Sequence, residues 1–177
     1  MIIYTGRFQP FHNGHLDLIK SLKLKYPNER ICLAIIKDVP ITKKTMFDEA
    51  VDSMLEKKRN PFNSEVTLAL IREALHDEGL EDVLVTLMPR ASCETWSLIT
   101  ALFDCERTWV FTENQLGKDE WEDKKYEFYK SRGDKVVRVP IKKDFSGSLI
   151  REYIEAKNFR ALKTLLPKCV FNYLMNN

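Results

Sequence analysis

The sequence has few of the features that mark secreted, membrane or metal-binding proteins. Its cysteines form no CxxC pair, so the paired ligands of a structural zinc site and the dithiol of a redox enzyme are both missing. We therefore expect unpaired thiols in a reducing cytosol; these are Cys32, Cys93, Cys105 and Cys169. No apolar run approaches the roughly 18 residues of a membrane span. The first residues do not resemble a signal peptide, and we expect the protein to work in the cytoplasm.

The sequence also has little excess charge of either sign. It carries 28 Lys and Arg against 26 Asp and Glu, a formal net charge of +2. So small an excess supplies no field that would steer nucleic acid, and we expect neither a nucleic acid nor a membrane as partner. What is present, 44% apolar and 31% charged residues in a chain of 177, is typical of a single globular domain.

Short apolar runs alternate with amphipathic segments along the chain. The runs predict strands at residues 1–5, 31–36, 83–87, 108–111 and 136–139. The amphipathic segments predict helices at residues 14–26, 64–78, 93–103 and 119–132, and three short helices from 148 to the end. The alternation predicts an α/β fold, a Rossmann-like doubly wound open parallel sheet of about five strands. We expect one domain, with this core at residues 1–145 and a C-terminal helical part at 146–177.

In such a sheet the ligand binds beyond the carboxyl ends of the strands, and GRFQPFHNGH follows the first strand at residues 6–15. His12 and His15 are three residues apart, which places both imidazoles on one side of a helical first turn. The N–H groups of that turn attract anions, and Gly14 lets an anion approach the backbone. Arg7 can add a bidentate phosphate contact. The segment therefore predicts a cradle for a polyphosphate, with imidazole donors aimed at its reacting oxygens.

Two other interpretations of the histidine pair stay open. The histidines could hold zinc, although no third ligand is near in the sequence. They could also be structural side chains that cap a helix. The coincidence of a glycine, an arginine and two histidines at a turn between a strand and a helix favours the anion site over both.

A second polar cluster, KKDFSGSLIR, lies far along the chain at residues 142–151. Ser146 and Ser148 precede a predicted helix, where their hydroxyls can cap it and also reach a phosphate. Arg151 follows Ser148 by three residues, on the same face of the helix. Taken alone, this pattern is typical of a capped helix with a solvated arginine. It suggests a phosphate contact only because the first cluster predicts a polyphosphate site that needs donors at the far end of the phosphate chain.

Both clusters resemble signatures of one family. GRFQPFHNGH resembles the HxGH signature of the nucleotidylyltransferase superfamily, and FSGSLIR resembles its second signature, ISxTxxR. The long form of the first is similar to that of the archaeal-type nicotinamide-nucleotide (NMN) adenylyltransferases. The segment NPF at residues 60–62, a tryptophan at position 96 and LPKCV at residues 166–170 agree with that group in the same order. The resemblance spans most of the chain.

The resemblance implies transfer of AMP from ATP to the phosphate of a mononucleotide, with NMN favoured, to give NAD and pyrophosphate. It implies Mg²⁺ as cofactor, carried by ATP rather than by protein ligands. His12, His15 and Arg151 become the expected catalytic residues. The expected nucleotide-binding residues are Gly6, Arg7, Phe8, Gly14, Ser146, Ser148 and Asn114. Trp96 is the expected plate for the acceptor base, with a core tryptophan as the alternative.

Departures from the family pattern concern the acceptor. The place of an acceptor-binding arginine falls near Thr67, and Cys93 stands where asparagine is usual. The sequence therefore leaves open the same transfer to phosphopantetheine, FMN or a sugar phosphate, or with CTP as donor. It also leaves open an inactive nucleotide-binding regulator, an RNA-binding relative of the class I synthetases, and a homo-oligomeric state.

Overall fold

The computed structural model describes residues 1–37, 62–113, 120–140 and 146–176. Its strands form one sheet in the order β3-β2-β1-β4-β5, with every neighbouring pair parallel. The strands are β1 (Ile2–Gly6), β2 (Ile31–Lys37), β3 (Leu84–Pro89), β4 (Thr108–Glu113) and β5 (Lys135–Pro140). The predicted doubly wound parallel sheet is confirmed.

Helices cover both faces of the sheet. They are α1 (Asn13–Lys25), α2 (Ser64–Asp77), α3 (Trp96–Leu102), α4 (Glu120–Ser131), α5 (Gly147–Glu155), α6 (Phe159–Leu165) and α7 (Lys168–Asn176). Apolar side chains of α1, α2 and α5 to α7 pack on one face in a single cluster, and those of α3 and α4 pack on the other. None of the helices in the described ranges could span a membrane.

The central strand β1 carries the start of the site. Its residues from Ile2 to Thr5 are all buried, as expected for a strand covered on both faces. β1 pairs with β2 on one side and with β4 on the other. From β1 the chain builds the sheet outward through β2 to β3, and it then crosses back to add β4 and β5 on the other side of β1, so the strand order reverses at β1. The crevice between the carboxyl ends of β1 and β4 is therefore the place where this architecture binds a ligand.

One predicted helix begins later than the sequence indicated. The expected helix at residues 93–103 begins at Trp96, whereas the other elements begin and end within two residues of their predicted bounds. The backbone N–H of Ser92 donates to Thr95 Oγ1 at 3.0 Å, and the N–H of Thr95 donates to Ser92 Oγ at 3.2 Å. These local side-chain bonds replace the first helical turn with a tight turn.

A buried polar network joins β4 to β5 at the amino ends of the strands. The carboxylate of Asp134 accepts two bonds from the Arg107 guanidinium, both at 2.9 Å. It also accepts one from the indole N–H of Trp109 at 2.6 Å. A bidentate pair that is mostly shielded from water fixes geometry well. This network lies at the opposite end of the sheet from the crevice.

The C-terminal helices pack against α1 and α2. The side-chain amide of Asn13 donates to the carbonyl oxygen of Thr164 at 3.0 Å, which ties the first residue of α1 to α6. The thiol of Cys169 donates to the carbonyl oxygen of Leu70 at 3.6 Å, which ties α7 to α2. These contacts hold α6 and α7 against α1 and α2.

Candidate active site

The two histidines of the first motif lie together at the start of α1. His12 is the residue that precedes the helix, and His15 is in its first turn. Their rings stack with centroids 3.5 Å apart and an angle of 19° between their planes. The spacing of three residues therefore produces the shared face that the sequence predicts. The pair stands at the carboxyl edge of the sheet, one short loop after Gly6.

A backbone hydrogen bond fixes the tautomer of His15. The N–H of His12 donates to His15 Nδ1 at 3.1 Å, so Nδ1 is an acceptor and the proton of the neutral ring is on Nε2. The ring is partly buried and stacks on Phe11, with centroids 5.3 Å apart. Burial, and then the neighbouring His12, lower the pKa of His15 well below 6.5. At neutral pH His15 is therefore an uncharged donor through Nε2–H.

The lowered pKa predicts a stability loss in acid. In the unfolded chain His15 takes up a proton as the pH falls through 6.5, whereas in the folded chain it resists protonation. The contribution of neutral His15 to the unfolding free energy is thus fully present above pH 6.5 and is lost progressively as the pH falls below it. We expect the unfolding free energy in urea to fall more between about pH 7.5 and about pH 5.5 in wild type than in His15→Asn. Equal losses in the two proteins would contradict this assignment.

The aromatic ring of Phe8 packs against the ring of His15. The backbone of Phe8 has a φ of 54°, in the left-handed region that non-glycine residues seldom occupy. Its buried ring meets the ring of His15 edge to face at 5.1 Å and that of Tyr4 at 5.4 Å. A Cβ on Gly6 would lie 3.2 Å from this ring, so the glycine allows the close approach. Only the backbone of Phe8 can meet a nucleotide, and its strained conformation is held by packing.

The second cluster meets the loop that leads into α1. Arg151 Nη1 donates to the carbonyl oxygen of Gln9 at 2.8 Å, although the two residues are 142 positions apart. Its Nη2 donates to Ser148 Oγ at 3.1 Å. Ser146 precedes α5, and its hydroxyl accepts from the N–H of Leu149 at 3.3 Å. The structure thus places a guanidinium and two hydroxyls beside the segment that carries the histidines.

Trp96 lies away from these groups. Its ring is on the face of the sheet covered by α3 and α4, whereas the histidines are on the side of α1. It packs edge to face on Tyr129 at 5.5 Å and on Phe128 at 5.7 Å, and lies 6.3 Å from Trp109 near the amino end of β4. These contacts favour the core tryptophan that the sequence left open. The acceptor-binding role of Trp96 stays a prediction.

The remaining predicted nucleotide contacts divide into two groups. Arg7 is half-buried in the loop after β1, and Gly14 is the second residue of α1, so both border the crevice. Asn114 lies outside the described residues, immediately after the end of β4. So does most of the NPF segment at residues 60–62.

Two residues near the crevice carry polar groups to which the sequence analysis assigned no role. Gln9 forms hydrogen bonds with Thr67 in α2 and with Phe62, the residue before the helix cap Asn63. Thr5, which precedes Gly6 in β1, has a buried hydroxyl oxygen that accepts or donates no hydrogen bond within the described ranges. Neither signal is visible in the sequence, because both depend on which segments meet in space.

The unbonded hydroxyl of Thr5 predicts a stabilising substitution. An unsatisfied buried hydroxyl destabilises the folded state, and valine has the same shape without it. We expect Thr5→Val to raise the unfolding free energy by about 1 kcal/mol. The matched control is Thr95→Val, because Thr95 is equally buried but its hydroxyl oxygen accepts the N–H of Ser92. Thermal unfolding should shift up for the first and down for the second; a downward shift for both would contradict the prediction.

The side chains at the crevice suit an anion better than a bare metal ion. They are imidazoles, a guanidinium and hydroxyls, and phosphate oxygens accept hydrogen bonds from all three. Within the described ranges, no group of three or more His, Cys, Asp or Glu side chains could hold a metal ion. A metal ion at this edge would therefore take its ligands mainly from a bound phosphate chain and water.

Sequence comparison finds one family model and several relatives. The family described as Cytidylyltransferase-like matches residues 3–153. A nicotinamide-nucleotide adenylyltransferase 1 of Sulfolobus acidocaldarius is 24% identical over 177 residues, covering 97% of this chain and 87% of its own. A nicotinamide-nucleotide adenylyltransferase of Saccharolobus solfataricus is 26% identical over 180 residues, covering 98% of this chain and 88% of its own.

Structure comparison finds the same architecture in solved proteins. A bifunctional NMN adenylyltransferase/ADP-ribose pyrophosphatase from Francisella tularensis, crystallised with AMP and a Mn ion, superposes with a TM-score of 0.62 at 17% identity. The superposition covers 99% of this chain and 48% of the bifunctional one, so this chain spans about half of that protein's length. At this level of identity the likeness extends to the fold.

Proposed function

Because this chain belongs to the cytidylyltransferase-like family, as the nucleotidylyltransferase signatures predicted, we propose that it transfers AMP from ATP to the phosphate of NMN. The products are NAD and pyrophosphate. The observation that carries the proposal is the contact of Arg151 with Gln9, because it places a guanidinium beside the loop that ends in the histidine pair. Both named archaeal relatives carry the name of this activity, which supports NMN as the acceptor.

The reaction needs no general base from the protein. The acceptor phosphate is already ionised at neutral pH and attacks the α-phosphorus of ATP, whose bond to the bridging oxygen of pyrophosphate breaks. Catalysis then consists of positioning and of stabilising charge on the phosphate oxygens. In this proposal His15 donates Nε2–H to one such oxygen, and His12, stacked on it, donates to another. A neutral His15 serves this role because it keeps its proton on Nε2 throughout.

Arg151 would hold the leaving pyrophosphate. Two of its hydrogen bonds go to neutral acceptors, the carbonyl oxygen of Gln9 and Ser148 Oγ. A charged phosphate chain is a stronger acceptor than either of these, so the β- and γ-phosphates of ATP would compete well for the same N–H groups. Ser146 and Ser148 would contact the same phosphates from the start of α5. Ser146 can do so while its oxygen still caps the helix.

The loop after β1 would bind the nucleotide. We assign to this role the backbone of Gly6 and Phe8, the guanidinium of Arg7, and Gly14 where the first turn of α1 approaches a phosphate. We also propose Asn114 as a nucleotide contact and Trp96 as an acceptor contact; Asn114 lies outside the described residues, and Trp96 packs among core aromatic side chains.

The cofactor of the proposed reaction is Mg²⁺ bound to ATP. The donor set at the crevice fits the phosphates of such a complex, because Arg151 and the two histidines would donate hydrogen bonds to its phosphate oxygens. When bound, the ion neutralises part of the charge on the phosphate chain. We also propose the cytoplasm as the place of reaction, which the four free thiols support.

Product identity tests the proposal directly. The protein is incubated with ATP and Mg²⁺ and with one of NMN, nicotinate mononucleotide, phosphopantetheine, FMN or a sugar phosphate, and products are identified by mass. We expect pyrophosphate release and a mass equal to NAD with NMN. A different adenylylated product would keep the chemistry and change the acceptor. Nucleotide binding without pyrophosphate from any acceptor would overturn the enzyme and favour a regulator.

A further inference from the structure

Gln9, in the middle of the first motif, joins parts of the chain that are far apart in sequence. Its side-chain Nε2 donates to the carbonyl oxygen of Phe62 at 2.8 Å, and its Oε1 accepts from the N–H of Phe62 at 3.1 Å. Nε2 also donates to Thr67 Oγ1 at 3.1 Å. The amide thus pairs with Phe62 as one peptide group pairs with another in a sheet. Three bonds from one side chain hold the entry to α2 against the loop after β1.

The main chain of the same residue holds Arg151. The carbonyl oxygen of Gln9 is the acceptor for Arg151 Nη1. Gln9 therefore contacts α5 through its backbone and α2 through its side chain. Gln9 therefore links the guanidinium of Arg151 to the first turn of α2 through one residue.

The first turn of α2 is part of the same edge of the sheet. Asn63 caps this helix, its side-chain oxygen accepting from the N–H of Val66 at 2.8 Å. Lys37, the last residue of β2, pairs with Glu65 in the first turn at 2.9 Å. The start of α2 therefore lies at the carboxyl end of β2, beside β1. On this side of β1, the start of α2 would form the wall of the crevice.

We propose that Gln9 is a positioning residue that holds the acceptor nucleotide in line with the phosphate chain gripped by Arg151. The inference rests on the proposed function. An in-line displacement needs the attacking phosphate and the leaving group on opposite sides of the α-phosphorus. If α5 holds the leaving group, the wall at α2 guides the acceptor, and Gln9 sets the spacing between them. A misplacement of about 1 Å can lower the rate about 10²-fold.

The test separates acceptor use from ATP binding. Gln9→Leu removes all three side-chain bonds but keeps the carbonyl oxygen that Arg151 contacts. We expect kcat/KM for NMN to fall about tenfold or more, whereas the Kd of a non-hydrolysable ATP analogue measured without acceptor changes by less than about twofold. Gln9→Glu keeps the acceptor for the Phe62 N–H, but its second carboxylate oxygen faces the carbonyl oxygen of Phe62, so it should lower kcat/KM for NMN at least as much as Gln9→Leu. Thr67→Val removes one bond of the three, so it should lower kcat/KM for NMN less than Gln9→Leu does and leave the Kd of the ATP analogue within about twofold of wild type.

Hydrogen exchange at the Phe62 amide reports the anchor without any turnover. It should be slow in wild type and faster in Gln9→Leu. Faster exchange with unchanged kinetic constants would show a merely structural role and overturn the positioning proposal. An equal weakening of ATP binding and acceptor use would overturn it as well. If the wild-type protein makes no NAD but adenylylates another acceptor, only the assignment of NMN as the acceptor is overturned. The effects of Gln9→Leu on kcat/KM and on the Kd of the ATP analogue are then compared with that acceptor. If Gln9→Leu fails to fold, Gln9→Glu carries the comparison.

Discussion

Replacing His15 by alanine is expected to lower kcat about 10²–10³-fold, the usual effect of losing a donor to transition-state charge. The physical reason is that Nε2–H of a neutral ring is held ready for a phosphate oxygen by the bond between the His12 N–H and Nδ1. A donor already in place needs no reorganisation when charge develops. Steady-state pyrophosphate release at saturating ATP and acceptor measures the effect.

Alanine also removes the acceptor for the His12 N–H, so a control must separate the cap from the chemistry. His15→Asn places Oδ1 at the same distance from the backbone as Nδ1, and keeps that acceptor without the Nε2 donor. We expect His15→Asn to be as stable as wild type and to have a kcat as low as that of His15→Ala. His15→Gln restores a donor near the position of Nε2 and should recover part of kcat. Normal turnover in His15→Asn would remove the histidine from the mechanism.

Replacing Arg151 by alanine is expected to lower kcat/KM for ATP about 10²-fold or more, with a smaller change for the acceptor. The guanidinium donates to the carbonyl oxygen of Gln9 through Nη1 and to Ser148 Oγ through Nη2. It is thus placed to contact two oxygens of a phosphate chain at once. Lysine keeps the charge but not this fork, so Arg151→Lys should recover only part of the loss.

The matched control for Arg151 is the exposed Arg160 in α6. Arg160→Ala removes the same charge from the C-terminal helices without touching the loop after β1, and should leave both kinetic constants unchanged. The experiment measures kcat/KM for ATP and for the acceptor separately in each variant. Equal losses for the two substrates in Arg151→Ala, or a loss in Arg160→Ala of the same size, would argue for a general effect of charge.

The sheet and the histidine pair could be predicted because both depend on local spacing. Continuous apolar runs indicated strands buried on both faces, and a helix that begins beside His12 brings a residue three positions on to the same side. Arg151 was placed with the pair through the resemblance of two signatures, since periodicity carries no information about contacts across 142 residues.

Other features could not be predicted, for physical reasons that differ from residue to residue. A tryptophan at the start of an amphipathic helix faces either a ligand or the core, and only the neighbouring aromatic rings of α4 distinguish the two for Trp96. Gln9 has no periodic partner at all, because its amide bonds to a segment 53 residues away. The late start of α3 follows from the paired hydrogen bonds between Ser92 and Thr95. Each such bond stabilises the folded chain by about 1 kcal/mol, which is comparable to a helical hydrogen bond, so these bonds can replace the first turn of the helix.

The order of the two clusters along the chain has a consequence for biosynthesis. Translation delivers the imidazoles and β1 first, and the guanidinium that meets Gln9 follows every strand of the sheet. Chains fold from the amino end as they are made, so a nascent protein can bury much of its sheet before Arg151 meets the loop after β1. If Arg151 binds the triphosphate as proposed, incomplete products that end before α5 would bind ATP less tightly than finished molecules.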